Sequence, residues 1–227
     1  MGSERKRTTV LAAVAAMALL WVGLASSAAG DPKRKLTPAG QAYAKTFLLK
    51  KSDLPVSSQW KVEPTDFSQP NPSCVVKHYS YSALTLVGEV GDTFTLSPGI
   101  PLVEADASVF LSAEQARRAA AIDQKIGLAR CIAAALAAEL EKGQSGVTAS
   151  VDKVARLSFS GIAGAYGYRI ALLLHTSQGE VTINATLVGI RSGRALASLT
   201  FVTAQKPWPQ AAVRALAQKT ASRMKTA

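Results

Sequence analysis

The order of periodicities predicts an α+β fold: a twisted, mainly antiparallel sheet packed by a long central helix and a C-terminal helix. Three observations carry this. Residues 150–159, 165–176, 180–190 and 194–204 form four strand-like runs joined by Gly-containing connectors, two of them of hairpin length. At Ser112 the apolar period changes from two to 3.6. After Pro207-Trp208-Pro209 the chain returns to an amphipathic helical pattern that lasts to its end.

Taken in chain order, Thr37 to Lys51 predicts a short helix, with Ala42, Ala44, Phe47 and Leu48 inward and Lys45, Lys50 and Lys51 outward. Pro55 ends it, because the residue before a proline is pushed out of the α region. Trp60 to Phe67 reads as a weak strand or extended loop, and Ser68 to Ser73 as a surface connection leading to Cys74. Ser82 to Val90 and Asp92 to Ser97 alternate around Gly91, and Leu102 to Leu111 gives another strand. Ser112 then opens the central helix with a capping-box pattern completed by Gln115. Ile122, Ile126, Ala129, Ile132, Leu136 and Leu140 share one face of that helix, and Gly143 stops it. In the terminal helix Val213, Leu216, Ala217 and Thr220 share a face, leaving Arg214, Lys219, Arg223 and Lys225 wet.

The N-terminus reads as an export signal. Arg5, Lys6 and Arg7 precede an uncharged apolar stretch from Val10 to Leu24, followed by the small residues 25–29. Residues 1–28 are therefore expected to be a signal peptide cleaved after Ala28. The alternative is an uncleaved signal anchor with its positive end in the cytoplasm. No Cys follows the apolar run to accept a lipid. Residues 29–38, which include Lys33-Arg34-Lys35, read as a basic linker, and 39–227 as a single α+β domain.

Composition narrows the function classes. The 227 residues are 48% apolar, 18% charged and 6% aromatic, which excludes a disordered or collagen-like chain. Lys and Arg number 26 against 15 Asp and Glu, net +11. Removing residues 1–28 leaves 23 basic and 14 acidic side chains. These are interspersed, without an Arg-rich recognition helix or an RNA-binding aromatic pattern, so nucleic acid is not an expected partner. Membrane contact is expected only through an uncleaved N-terminal segment.

Cys74 and Cys131 are the only thiols. In an exported chain they are expected to pair, stapling the loop before the sheet to the central helix. Two buried free thiols, or a catalytic Cys with His78 or His175, are the alternatives. No metal or cofactor is expected, since two His without a matching carboxylate cluster make a poor metal site. No Gly-x-Ser-x-Gly elbow is present, and the glycine-rich run 161–167 lacks a phosphate-loop pattern. Asn184-Ala185-Thr186 matches a glycosylation acceptor but sits mid-strand. With no catalytic residue evident, the aromatics carry the site reading. Tyr79, Tyr81, Tyr166, Tyr168 and Trp208 suit the wall of an amphipathic groove. Tyr166, Tyr168 and Trp208 are the expected ligand-lining residues, in a cleft between the sheet and its helices. Filling the core rim is their competing role.

The layout resembles the exported sensor-like domains of actinobacteria, similar to the extracellular domain of PknH-type mycobacterial Ser/Thr kinases and related secreted or lipoprotein relatives. The likeness rests on the helix leading into Lys51-Ser52-Asp53-Leu54-Pro55, on Cys74 before a strand, and on the Cys-bearing stretch 129–133. The late strand 193–201 and the terminal helix complete it. The resemblance implies a twisted antiparallel sheet flanked by helices around a cleft, with a ligand-sensing role. Two departures stand out: no kinase domain accompanies this chain, and two Cys cannot form a second disulfide. The expected function is an exported, non-enzymatic domain binding a small amphipathic envelope ligand or an envelope protein. A cell-envelope hydrolase acting on ester or glycan is the alternative.

Overall fold

The computed structural model describes residues 32–67, 72–96, 101–143 and 145–226, so the export signal over 1–28 lies outside the described residues. Eight strands form one sheet: β1 (Lys33–Arg34), β2 (Trp60–Pro64), β3 (Thr85–Leu96), β4 (Leu102–Phe110), β5 (Thr148–Leu157), β6 (Ala165–Thr176), β7 (Gly179–Ser192) and β8 (Ala195–Ala204). Their order is β1-β3-β4-β8-β7-β6-β5, with β2 also paired to β3. Every pairing is antiparallel except β1 with β3. The fold class read from the sequence is thus the observed one. Lys33 and Arg34, read as linker, instead extend the sheet edge; the Lys33 amide donates to Leu84 O at 2.9 Å and that of Lys35 to Leu86 O at 2.8 Å.

Helices cover both faces. One face, here called A, carries α1 (Pro38–Thr46) and α5 (Gln210–Thr226); their Ala44, Val213, Leu216 and Ala217 join Val103, Phe201 and Trp208 in one core. The other, face B, carries α3 (Ala113–Asp123) and α4 (Ile126–Gly143), with a core that includes Leu86, Phe110, Ala116, Ile132 and Ile170. A short helix, α2 (Ser73–His78), packs beside α4.

Three differences from the sequence reading have physical causes. Cys74 lies in α2 rather than in a surface connection, because the bridge to Cys131 fastens this short helix to α4. The strand pattern around Gly91 is one strand, β3, since β4 pairs along nearly its whole length with one bulge between Leu86 and Gly88. The central helix is two helices. Its alanines carry high helix propensity throughout, but tertiary anchors hold the joint after Asp123. The Gln124 carbonyl accepts from Arg156 Nη2 at 3.2 Å, and the Leu128 amide turns back to Lys125 O at 2.9 Å. The break lets α3 cross β4, β8 and β7 while α4 runs along β5.

The last helix is tied down at its far end. Arg223 forks onto Asp53, Nη1 to Oδ2 at 2.7 Å and Nη2 to Oδ1 at 3.0 Å, and Lys219 Nζ adds a contact at 3.0 Å. Burial works to raise the Asp53 carboxyl, but Arg223, the Lys50 amide and Lys219 outweigh it and hold it at about 2. Arg223, read as wet, is therefore a structural clamp.

Candidate functional site

Strand β4 decides what face B offers. Its Val103, Ala105, Ala107 and Val109 all point into the face-A core, because side chains alternate along a strand. The other parity begins at Leu102 and ends at Phe110 in the face-B core. Between those two apolar residues stand Glu104, Asp106 and Ser108, with Glu104 and Asp106 only 1% and 2% exposed. Thr200 and Ser198 of β8 lie directly opposite the two acids on one side, Thr93 and Gly91 of β3 on the other. The end of β2 runs over them: a Cβ on Gly91 would sit 2.1 Å from Asp106 Oδ1, 2.8 Å from Thr65 Oγ1 and 2.9 Å from the Phe67 ring. Burial, and then the neighbouring Asp106, push the Glu104 carboxyl well above the usual carboxylate range; the Thr65 hydroxyl pulls the other way. Even so, neither Glu104 oxygen has a hydrogen bond of good geometry, and neither does the buried Thr200 hydroxyl opposite it.

A second acidic group closes the same face. Asp123, the last residue of α3, accepts from the Tyr81 hydroxyl on Oδ1 and from the Tyr166 hydroxyl on Oδ2, the latter at 2.9 Å. The residue as a whole is half-buried, whereas its carboxyl is enclosed under the two rings. Burial pushes that carboxyl up to about 6, against the two hydroxyl hydrogen bonds. Sheet register joins the two groups. Tyr166, Gly189, Ser198, Asp106 and Gly91 form one row across five strands, and Tyr168, Leu187, Thr200, Glu104 and Thr93 the next. Gly189 leaves room for Tyr166 to lean over it, a Cβ there falling 2.1 Å from the ring.

Of the three residues expected to line a ligand, Tyr166 and Tyr168 therefore share face B, in adjacent rows beside the acids. Trp208 stands on face A. It packs 5.3 Å from Phe201 and 6.3 Å from Trp60, ring centre to ring centre, and is buried. The sheet separates it from the tyrosines. Glu104, Asp106 and Asp123 were not singled out in the sequence. The two histidines stay outside this region: His175 Nδ1 meets Glu180 Oε1 at 3.1 Å on an exposed hairpin, and His78 is exposed on α2. Asn184 is buried, its amide donating to Gln205 O at 3.1 Å. Among the described residues no group of three or more His, Cys, Asp and Glu is placed to hold a metal, and no helix is long and apolar enough to cross a membrane.

The acids give stability a definite pH dependence. Asp123, Glu104, Glu89 and Asp92 are all raised, chiefly by burial, so between about pH 4 and 6 the folded chain holds more protons than the unfolded one. Stability then falls as pH rises through that window. Asp53, being depressed, contributes stability that is lost only as pH drops below 3.8 towards 2. Maximal stability is expected near pH 4–5. Asp123 alone should account for a decline of about 2 kcal/mol by pH 7, allowing for its partial exposure. Urea midpoints from pH 4.5 to 8 measure this; in Asp123→Asn the slope should flatten, and an unchanged slope would exclude Asp123 as its source.

No family model matches the chain, and no curated protein matches it. Among solved structures it is similar to the crystal structure of the extracellular domain of PknH from Mycobacterium tuberculosis, with 11% identity and a TM-score of 0.49, over 82% of this chain and 97% of that one. This is a distant structural resemblance, and no functional residue is carried across it.

Proposed function

We propose that the chain is an exported, non-enzymatic binding domain of sensor-like type, taking a small envelope ligand or an envelope protein on face B. The observation that carries this reading is the pair of buried carboxyls, Glu104 and Asp106, on face B in the same two sheet rows as Tyr168 and Tyr166. Burying carboxyls is costly, and an acidic pair retained in rows with amphipathic rings fits recognition better than packing. The apolar stretch Val10–Leu24 behind three basic residues supports export, as does the Cys74–Cys131 bridge. A second reading, hydrolysis of an envelope ester or glycan, draws on the same acids. Side chains two residues apart on one strand face are separated by about 7 Å, within the range used by paired catalytic carboxyls.

The aromatics separate binding from packing. Tyr168 is as buried as Trp208, so Tyr168→Ala should also lower stability. In the protein that remains folded, it should in addition abolish retention of a co-purifying envelope lipid or glycan. Trp208→Ala should cost about 3–5 kcal/mol of stability through the face-A core and leave retention intact. Extraction and mass analysis of bound material, alongside urea unfolding, reads both. Unaltered retention in Tyr168→Ala would remove face B as the site.

A further inference from the structure

We infer that the outer surface of face A docks on an anionic lipid bilayer, with lysines at the headgroups and Val56 as the point of entry. The two sides of the domain carry unlike charge. Helices α3 and α4, over face B, hold four basic and four acidic side chains. Helices α1 and α5, over face A, hold five basic side chains and no acid. Lys50 and Lys51 follow α1 directly, and both are exposed, as is Lys225 of α5. Asp53 and Asp92 stand on the same side but are already met, by Arg223 with Lys219 and by Lys45. The layer is continuous, since Arg223 Nη1 of α5 donates to Leu48 O, just beyond α1, at 2.7 Å.

The backbone marks where the contact is made. Val56 has a φ of 49°, in the left-handed region that a β-branched residue rarely adopts, and it is 62% exposed. The turn is fixed from both sides: Pro55 O accepts from Trp60 Nε1 at 2.8 Å, and Val56 O from the Gln59 amide at 3.0 Å. The fold thus holds an apolar side chain outward under strain, five positions after Lys51. An outward apolar residue among lysines suits a bilayer interface, with the methyls below the headgroups and the ammoniums among the phosphates. A nucleic acid is met less well. Trp60 and Trp208 are buried, and the Tyr43 ring lies under Arg194, 5.5 Å from its centre, so these rings are not free to stack on bases. The chain path fits too. Arg34 stands opposite Leu86 of the face-B core, which turns Lys33 and Lys35 to face A. Lys33 follows Leu24, the end of the apolar stretch, by nine positions, at most about 30 Å of chain.

Co-sedimentation of the protein recovered from its own envelope tests the docking, with vesicles of phosphatidylcholine alone and of phosphatidylcholine mixed with phosphatidylglycerol. Binding should be clearly tighter to the anionic vesicles and should be released in about 1 M salt, where the Debye length is about 3 Å. Each lysine near such a surface is worth about five-fold in affinity, so Lys50→Gln/Lys51→Gln/Lys225→Gln should weaken binding on the order of 100-fold. Arg118→Gln/Arg130→Gln/Lys142→Gln removes the same charge from face B and should weaken it far less. Val56→Gly relieves the backbone, so it should raise the urea midpoint while weakening vesicle binding several-fold. Folded Tyr168→Ala should keep vesicle binding, which separates this surface from the face-B ligand. Equal binding to both vesicle types would overturn the docking, and equal losses in the two triple variants would reduce it to net charge. Capture of inorganic polyphosphate without vesicle binding would make this a surface for a soluble polyanion instead. Unaltered vesicle binding in Val56→Gly would overturn entry at that turn.

Discussion

Reduction of the Cys74–Cys131 bridge is expected to lower unfolding stability by about 4 kcal/mol and Tm by about 10 °C. The two cysteines are 57 positions apart, and in the chain-entropy model closing a loop of that size restricts the unfolded chain by about that much. Local structure adds to the expectation. Helix α2 has six residues, too few to hold themselves helical in water, and its Val75 is buried in the core. The bridge ties it covalently to α4. Beyond it, the segment from Pro72 to Leu84 is anchored by the Tyr81 hydroxyl on Asp123. Urea midpoints with and without reductant, compared with a Cys74→Ser/Cys131→Ser double variant, measure the loss. Reduced protein and double variant should agree. A midpoint unmoved by either would mean that the bridge contributes nothing to the fold.

Gly40→Ala is expected to cost at least about 3 kcal/mol, against the usual direction for a helix. Alanine in place of glycine inside a helix normally stabilises by roughly 1 kcal/mol. Gly40 sits one turn into α1, behind the Thr37 cap whose hydroxyl accepts from its amide at 3.0 Å. Here α1 crosses β3 backbone to backbone. A Cβ on Gly40 would lie 2.0 Å from the Val87 carbonyl oxygen, and one on Gly88 would lie 2.2 Å from that of Gly40. No rotamer change relieves a clash with main chain, so α1 must shift off the sheet and unseat Ala44 and Phe47, both fully buried. Gly88→Ala should cost a similar amount, and the double variant much less than the sum, since either methyl already forces the same separation. Chemical denaturation of the three variants settles the matter; a stabilised Gly40→Ala would refute the close crossing.

What was legible in the sequence is what local periodicity encodes. The hairpins around Gly179 and Gly193, the Ser112 hydroxyl cap and the buried stripe Val213, Leu216, Ala217 and Thr220 each follow from nearest-neighbour pattern and stand where they were read. Gln115, expected to complete the capping box, instead accepts from the Thr85 amide at 2.8 Å. The break after Asp123 was not legible, because Arg156, Tyr81 and Tyr166 fix it from 32 to 43 positions away. Trp208 went to face A for a similar reason: an aromatic at the joint between a sheet and a helix does not declare which side of the sheet the helix takes. Tyr166 and Tyr168 were correctly placed on one side of a strand, since that needs only alternation.

Glu104 and Asp106 did carry a signal. In Leu102-Val103-Glu104-Ala105-Asp106-Ala107-Ser108-Val109-Phe110 one parity is wholly apolar, and the other starts and ends apolar with two acids between. An ordinary half-exposed strand has no reason to begin and end its polar side with Leu and Phe. That pattern marks a strand buried on both faces with charge retained inside, which is costly unless something meets it. Asp123 gave no such sign, since inside a helix read as continuous from Ser112 to Gly143 an acid beside the apolar stripe reads as solvent-facing.

The central claim, that face B of an exported domain holds a ligand, is tested most directly by native mass spectrometry of the protein isolated from its own envelope. The expected spectrum shows the intact chain carrying a discrete non-covalent adduct, and the adduct disappears in Glu104→Gln and Tyr168→Ala while persisting in Trp208→Ala. Bare protein under conditions gentle enough to preserve known complexes, or an adduct indifferent to Glu104 and Tyr168, would contradict it.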